Sequence, residues 1–224
     1  MKGQFRAENN TDSDVIYLYD MIVESDAEAE WWGGVSPQKF IETLNKMKAQ
    51  TIHLRVNSPG GSVFAARAIE QAIKDHPSTI IAHVDGYAAS AASFLIMAAD
   101  RIEMAEGAFL MIHKAWTYAW GNSDDLVQTA GLLEQIDASL VKTYEKRTKQ
   151  TAEDISTWMD EETWFDSARA VELGFADVIS SEQSAQSSWN MSAYKKAPKL
   201  PENIAQAADR DALLRAALLK IIPA

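Results

Sequence analysis

Two apolar runs, TIHLRVN at 51–57 and TIIAHVD at 79–85, bracket a stretch at 62–76, SVFAARAIEQAIKDH, that has helical spacing. In the first run Ile52, Leu54 and Val56 fall on one side, the period-two pattern of a strand with one buried face. Ser58-Pro59-Gly60-Gly61 breaks that strand before the helix, and a second small-residue stretch, AASAASFLIMAA at 88–99, reads as the next helix. Strand, helix, strand, helix in direct succession restricts the chain to an α/β fold whose sheet is covered by helices.

The flanking sequence extends this order. VIYLYDMIV (15–23) is β-branched and aromatic and predicts a first strand. A helix is predicted over 36–48, with Ser36 as N-cap, Pro37 at the first helical position, and Phe40, Leu44 and Met47 on one face. RIEM (101–104) and AFLMIH (108–113) predict two short strands around Glu106-Gly107. A long helix follows over 123–149, where Leu126, Ala130, Leu133, Ile136, Leu140 and Tyr144 keep helical spacing. T-A-E-D at 151–154 fits a capping box opening another helix, and DSARAVELG (166–174) a short helix closed by Gly174 before a last strand, FADVI. The expected organisation is an N-terminal segment (1–14), one domain (15–180), a polar linker (181–200) and a C-terminal amphipathic helix (201–224). In that helix Leu214, Ala217, Leu218 and Ile221 form the apolar stripe.

Composition removes several classes of function. A net charge of −11 with no basic stripe argues against a nucleic-acid partner. Without cysteine there is no thiol catalysis, thiolate metal site or disulfide. His53, His76, His83 and His113 never fall at ligand spacing such as H-E-x-x-H, so no metal is expected, and no phosphate-binding G-x-x-x-x-G-K-[ST] occurs. MKGQFRAENN lacks the apolar stretch of a signal peptide, and the most apolar segment (88–99) is too short to span a bilayer. The expectation is a soluble, cytoplasmic protein without a membrane partner.

Candidate chemistries are then few, and the small-residue stretch at 88–99 reads either as a tightly packed helix or as the seat of a serine nucleophile. Serine chemistry needs a hydroxyl at a sharp turn, an imidazole base, an orienting carboxylate and N–H groups aimed at the developing oxyanion. Gly86 would let the chain turn abruptly after the strand TIIAHVD. Ser90 then falls in the first turns of the helix, where free N–H groups favour negative charge; Ser93, one turn deeper, reads as a packing residue. His113 ends the strand AFLMI, the position at which sites gather in open α/β sheets. His53 and His83 lie inside strands and read as structural, and His76 as an exposed residue at a helix end. Ser58-Pro59-Gly60-Gly61 reads either as a turn or as a set of N–H donors for an anion.

Four segments in order, R-V-N-S-P-G-G, G-Y-A-A-S-A-A-S-F, F-L-M-I-H and A-V-E-L-G-F-A-D, resemble the proteolytic subunit of the Clp protease, ClpP, over about residues 15–180. The resemblance implies a ClpP/crotonase-like fold of repeated β-β-α units with a C-terminal helical extension. It implies a serine peptidase needing no cofactor, with Ser90 as nucleophile, His113 as base, and the Gly61 and Ala91 N–H groups as oxyanion hole. Counting without gaps from His113 puts Glu162 on the family's aspartate position; Asp160 is the rival, and Asp166 reads as the cap of the next helix. Lys114-Ala115 stands where the family has Gln-Pro. WTYAWGNSDD (116–125) replaces its glycine-rich strand, with Trp116, Tyr118 and Trp120 read as strand packing or substrate contacts.

By the same resemblance the partners are polypeptide substrates and other copies of the chain, assembled in rings to which the 123–149 helix contributes. Residues 1–14 do not resemble the family segment that meets an unfoldase ring. NMSAYKKAPK resembles the extension of ClpP-related proteases encoded beside capsid genes in tailed phages, whose substrates are scaffold and capsid proteins in the immature head. The expected role is therefore phage head maturation. The alternatives are a cellular peptidase working with an ATPase unfoldase, an inactive scaffold protein of this fold, and a crotonase-type acyl-CoA enzyme.

Overall fold

A computed structural model describes residues 6–9, 13–180 and 194–198. Every element below belongs to the unit Met1–Ser184. The expected linker, apart from 194–198, and the expected helix at 201–224 lie outside the described residues.

The described strands form one eight-stranded sheet. Its core is parallel: β2 (Ser13–Leu18), β3 (Thr51–Ser58), β4 (Thr79–Ala89), β5 (Arg101–Ala105) and β8 (Val178–Ser180) lie side by side in that order. β1 (Arg6–Asn9) adds an antiparallel edge to β2. Alternation decides which face is buried. Ile16, Leu18, Ile52, Leu54, Val56, Ile80, Ala82, Val84, Ile102 and Met104 join one core with Phe40 and Leu44 of α2 (Pro37–Lys46) and Ile69 and Ile73 of α3 (Val63–Asp75). The opposite face carries polar side chains that satisfy one another. Arg55 and Tyr19 both bond Asp85, and His53 Nδ1 lies 2.8 Å from His83 Nε2, which makes these two histidines structural as expected.

β4 is the element that departs most usefully from expectation. It does not turn at Gly86 but runs on through Gly86-Tyr87-Ala88-Ala89. Its first half pairs with β5, and its second half leaves β5 for β6 (Phe109–Ile112), with Tyr87 opposite Phe109 and Ala89 opposite Met111. That second partner keeps the small residues extended. The following helix is accordingly short: α4 (Ala91–Leu95) continues as a 3₁₀ turn over Ile96–Ala98. β2 likewise stops at Leu18 rather than at 23, because beyond it Ile22 bridges Val35 and Gly61 instead of lengthening the strand.

Three elements carry no local signal strong enough to predict them: β1, α1 (Asp26–Trp32) and β7 (Thr163–Asp166), the last antiparallel to β6. Among the described residues the predicted helices otherwise hold. Ser36, Ser62 and Asp166 each accept an N–H three residues on as N-caps, and Gly174 closes α7 (Ser167–Leu173) in the left-handed region. Thr151 caps α6 (Ala152–Asp160). The long helix α5 (Ser123–Thr148) buries only its C-terminal half, through Leu140 and Tyr144, while Leu126, Val127 and Leu132 are exposed.

Tyr144 ties α5 to α4. Its hydroxyl is 2.7 Å from Ser93 Oγ, which itself donates to the Ser90 carbonyl at 2.7 Å, and burial pushes the Tyr144 phenol well above its usual range. Both side chains are buried, so Ser93 is the packing residue its depth in the helix suggested. Ser93→Ala leaves the Tyr144 hydroxyl without its partner and is expected to cost roughly 1–3 kcal/mol in denaturant unfolding. Reactivity at Ser90 should survive in the folded variant.

Candidate active site

Ser90 occupies the joint between β4 and α4 with φ 53° and ψ −124°, a left-handed backbone that few residues other than glycine adopt. Such a conformation costs about 1–3 kcal/mol and persists only where neighbours over-determine it. Here they do: Ser90 N–H donates to the Met111 carbonyl at 3.0 Å, and its own carbonyl accepts from Ser93 N–H at 2.9 Å. Ala88, Ala89, Ala91 and Ala92 around it are all buried, so bulk at these positions would not fit. The turn is therefore at Ser90 itself. Ala91, at the first helical position, has an N–H with no intrahelical acceptor.

The loop after β3 is built against this turn. Ser58 Oγ donates to the Asp20 carbonyl at 2.6 Å and accepts Gly60 N–H at 3.1 Å. Ile22 then grips the chain on both sides of Gly61, donating to the Gly60 carbonyl at 2.8 Å and accepting Ser62 N–H at 2.9 Å, a pairing that does not use Gly61 N–H. A side chain at Gly60 would lie 2.7 Å from Ala91 N, and one at Gly61 would lie 2.0 Å from the Ile22 carbonyl oxygen; both residues also have positive φ. Only glycine permits these approaches, which set Gly60 beside Ala91 N at the Ser90 turn and Gly61 against the Ile22 backbone.

His113 follows β6, the strand that pairs with the end of β4. Its Nε2 lies 2.7 Å from Ser90 Oγ. With the ring proton on Nδ1, Nε2 accepts the serine hydroxyl. Burial lowers the His113 pKa and so favours that neutral ring, against the opposing charge of Glu162. Glu162 itself sits in the left-handed region (φ 51°), where α6 ends and β7 begins. β7 runs antiparallel to β6 with Thr163 opposite Ile112, so the same register continued by one residue sets Glu162 opposite His113. Trp164 Nε1 donates to Glu162 Oε1 at 3.4 Å.

Asp160 is differently engaged. It ends α6 and forms an ion pair with Lys114, both side chains half-exposed. Asp166 caps α7, as expected. His76, expected to be exposed, is partly buried at the end of α3, where its Nδ1 accepts Ser78 N–H at 3.2 Å. Residues 113–120 form no strand, and Trp116, Tyr118 and Trp120 are 56, 82 and 88% exposed, so strand packing is not what they do. Among the described residues no group of three or more His, Asp or Glu side chains could hold a metal ion, and no helix is long and apolar enough to cross a membrane.

The two carboxylates make opposite forecasts for the imidazole. Removing the Glu162 charge takes away the influence that raises the His113 pKa, so Glu162→Gln is expected to move the His113 titration to lower pH. Asp160→Asn should leave it in place. Imidazole NMR titration of both variants checks this; a shift in the Asp160 variant alone would reverse the assignment.

A family model described as "Clp protease" matches residues 35–183, beginning later than the expected residue 15. The ATP-dependent Clp protease proteolytic subunit 1 of Corynebacterium jeikeium is 32% identical over 130 residues, covering 57% of this chain and 69% of that protein. Subunit 2 of Corynebacterium diphtheriae is 32% identical over 135 residues (59% and 68%), and subunit 1 of Mycobacterium tuberculosis 30% over 133 residues (58% and 66%). The matches thus span about two thirds of the length of these relatives. With Ser90, His113 and the glycine pair all inside the matched segment, which is more than half of the sequence, the chain belongs to the Clp protease family.

Proposed function

We propose that this chain is a serine endopeptidase of the ClpP type. The observation that carries the reading is the 2.7 Å contact between Ser90 Oγ and His113 Nε2 at a turn whose backbone is held in place from both sides. Ser90 Oγ attacks the peptide carbonyl as His113 Nε2 takes its proton. Glu162 orients the ring and balances the imidazolium that forms, while the Gly61 and Ala91 N–H groups receive the oxyanion. His113 then passes its proton to the leaving amine, and water, deprotonated by the same nitrogen, releases the acyl group. No step calls for a cofactor. The protein acts as a ring of identical subunits, and the exposed Leu126, Val127 and Leu132 of α5 offer apolar surface for contact between copies.

The finer reading is that the substrates are scaffold and capsid proteins cleaved during phage head maturation, in the host cytoplasm and within the immature head. Its support is the resemblance of NMSAYKKAPK to the phage-associated extension and the dissimilarity of residues 1–14 from the segment that meets an unfoldase. One observation favours a second reading: the relatives above are named as subunits of an ATP-dependent protease, which fits a cellular peptidase fed by an unfoldase.

A fluorophosphonate probe followed by peptide mapping is expected to label Ser90, to do so in the Ser93→Ala variant, and to fail in His113→Ala. Labelling confined to Ser93, or none in the assembled wild type, would overturn the catalytic assignment. Glu162→Gln should reduce peptide hydrolysis by several orders of magnitude, on the order of 10⁴ for the corresponding aspartate change. Incubation with a purified phage scaffold protein, without ATP, should give discrete fragments that disappear in Ser90→Ala. Cleavage that appears only when an ATP-driven unfoldase is added selects the cellular reading.

A further inference from the structure

His113 sits where an ordered strand gives way to an exposed, irregular stretch. Upstream it is fixed by β6; downstream, residues 116–120 are exposed and without regular structure. Two backbone hydrogen bonds intervene. Lys114 N–H donates to the Met159 carbonyl of α6 at 3.2 Å, and Ala115 N–H donates to Asp137 Oδ1 of α5 at 2.8 Å. Beside them, Lys114 Nζ pairs with Asp160. The segment just after the base is thus clamped between α6, which leads directly into Glu162, and α5.

The α5 side of this clamp depends on one carboxylate. Asp137 lies one turn before the buried Leu140 and two before the buried Tyr144, on the part of α5 held to α3 through Arg67, which donates to Ser139 Oγ at 3.0 Å and Thr143 Oγ1 at 2.9 Å. Its position is therefore set by the core, whereas Ala115 has no other tie to α5 among the described hydrogen bonds. Burial raises the Asp137 pKa, and the Ala115 N–H and the Lys114 charge act to lower it, so the contact favours the ionised acceptor. A proline at 115, which the resembled family carries, would have no N–H to donate. The bond belongs to this chain's own Lys114-Ala115 sequence.

We propose that Asp137 is a positioning residue: by accepting the Ala115 N–H it anchors the chain two residues beyond His113 and so maintains the His113–Ser90 alignment. The inference rests on the peptidase reading above. Misplacement of a reacting group by about 1 Å can cost 10²-fold in rate, so a loosened anchor is felt at the chemical step rather than in substrate binding.

The test compares Asp137→Ala, which removes the acceptor, with Asp137→Asn, which keeps an oxygen in its place, in the full-length protein. Two readouts are taken: amide hydrogen exchange at Ala115, and kcat and KM for a small peptide. In Asp137→Ala, exchange at the Ala115 amide is expected to rise at least tenfold and kcat to fall roughly 10- to 100-fold, with KM within twofold; Asp137→Asn should restore most of both. Unchanged exchange in the alanine variant overturns the hydrogen bond as an anchor. Faster exchange with unaltered kcat, or an asparagine variant as impaired as alanine, overturns the positioning role. A wild-type protein whose Ser90 neither reacts with fluorophosphonate nor hydrolyses peptide refutes the peptidase reading and the positioning role with it, while exchange at Ala115 still reports on the bond.

Discussion

Everything at the candidate site depends on one close approach, that of the Gly60-Gly61 backbone to the strand-to-helix turn at Ser90. Atoms that a Cβ at Gly60 would meet, Ala89 O, Ala91 N and Ser90 Cβ, all fall within 2.8 Å. The contact is backbone against backbone, so no side-chain rearrangement can relax it. It accounts for two otherwise separate features: the left-handed conformation forced on a serine, and a glycine pair anchored on both sides by Ile22. The strain at Ser90 is offset by the bonds to Met111 and Ser93, and the outcome is a hydroxyl held at a turn 2.7 Å from His113 Nε2.

The fork in β4 supplies the rest. Had β4 stayed paired with β5 along its whole length, β6 would have no edge to join, and His113 would not reach Ser90. By exchanging partners after Val84, β4 admits β6 at its C-terminal end, and β6 in turn takes β7 as its antiparallel neighbour. Serine, histidine and glutamate thereby come from three adjacent chain segments related by backbone register. Register is fixed by many hydrogen bonds at once, which makes such an arrangement more rigid than one assembled from loops.

What could be read from the sequence, and what could not, divides along the range of the interactions. Ser36-Pro37, Ser62 and Gly174 act within one turn, and each marks its helix end as expected. Ile52, Leu54 and Val56 declare their buried face by alternation alone. Gly86-Tyr87-Ala88-Ala89 misleads because alanine favours helix locally, and distant pairing with Phe109–Met111 on one side and Ser58 on the other keeps it extended. β7 is four residues long, too short to show a period, although Thr163, Trp164 and Phe165 have strand-forming side chains. α1 buries nothing and so has no apolar stripe to recognise. Ser90 and His113 are singled out by their places at strand ends and Glu162 by a count along the family resemblance, and hydrogen-bond geometry and register bring the three segments together; the Asp137–Ala115 bond, spanning 22 residues with no motif, leaves no trace in the sequence.

The electrostatics of His113 follow from the same architecture. Burial desolvates the His113 ring and disfavours its charged form, which would suit the base role proposed for it. In the proposed mechanism the same desolvation would oppose the imidazolium formed once the proton has moved. A carboxylate placed by the β6–β7 register acts in the opposite direction, and it does so most strongly in the charged state, where help is needed. Glutamate at this position lies in the left-handed region and next to the Trp164 indole, so its backbone turn and a ring N–H both restrict where its carboxylate can go. The longer side chain can thus be confined by its surroundings, as a shorter one would be by its length. Asp160, half-exposed and opposite Lys114, has its charge answered before it could serve the ring.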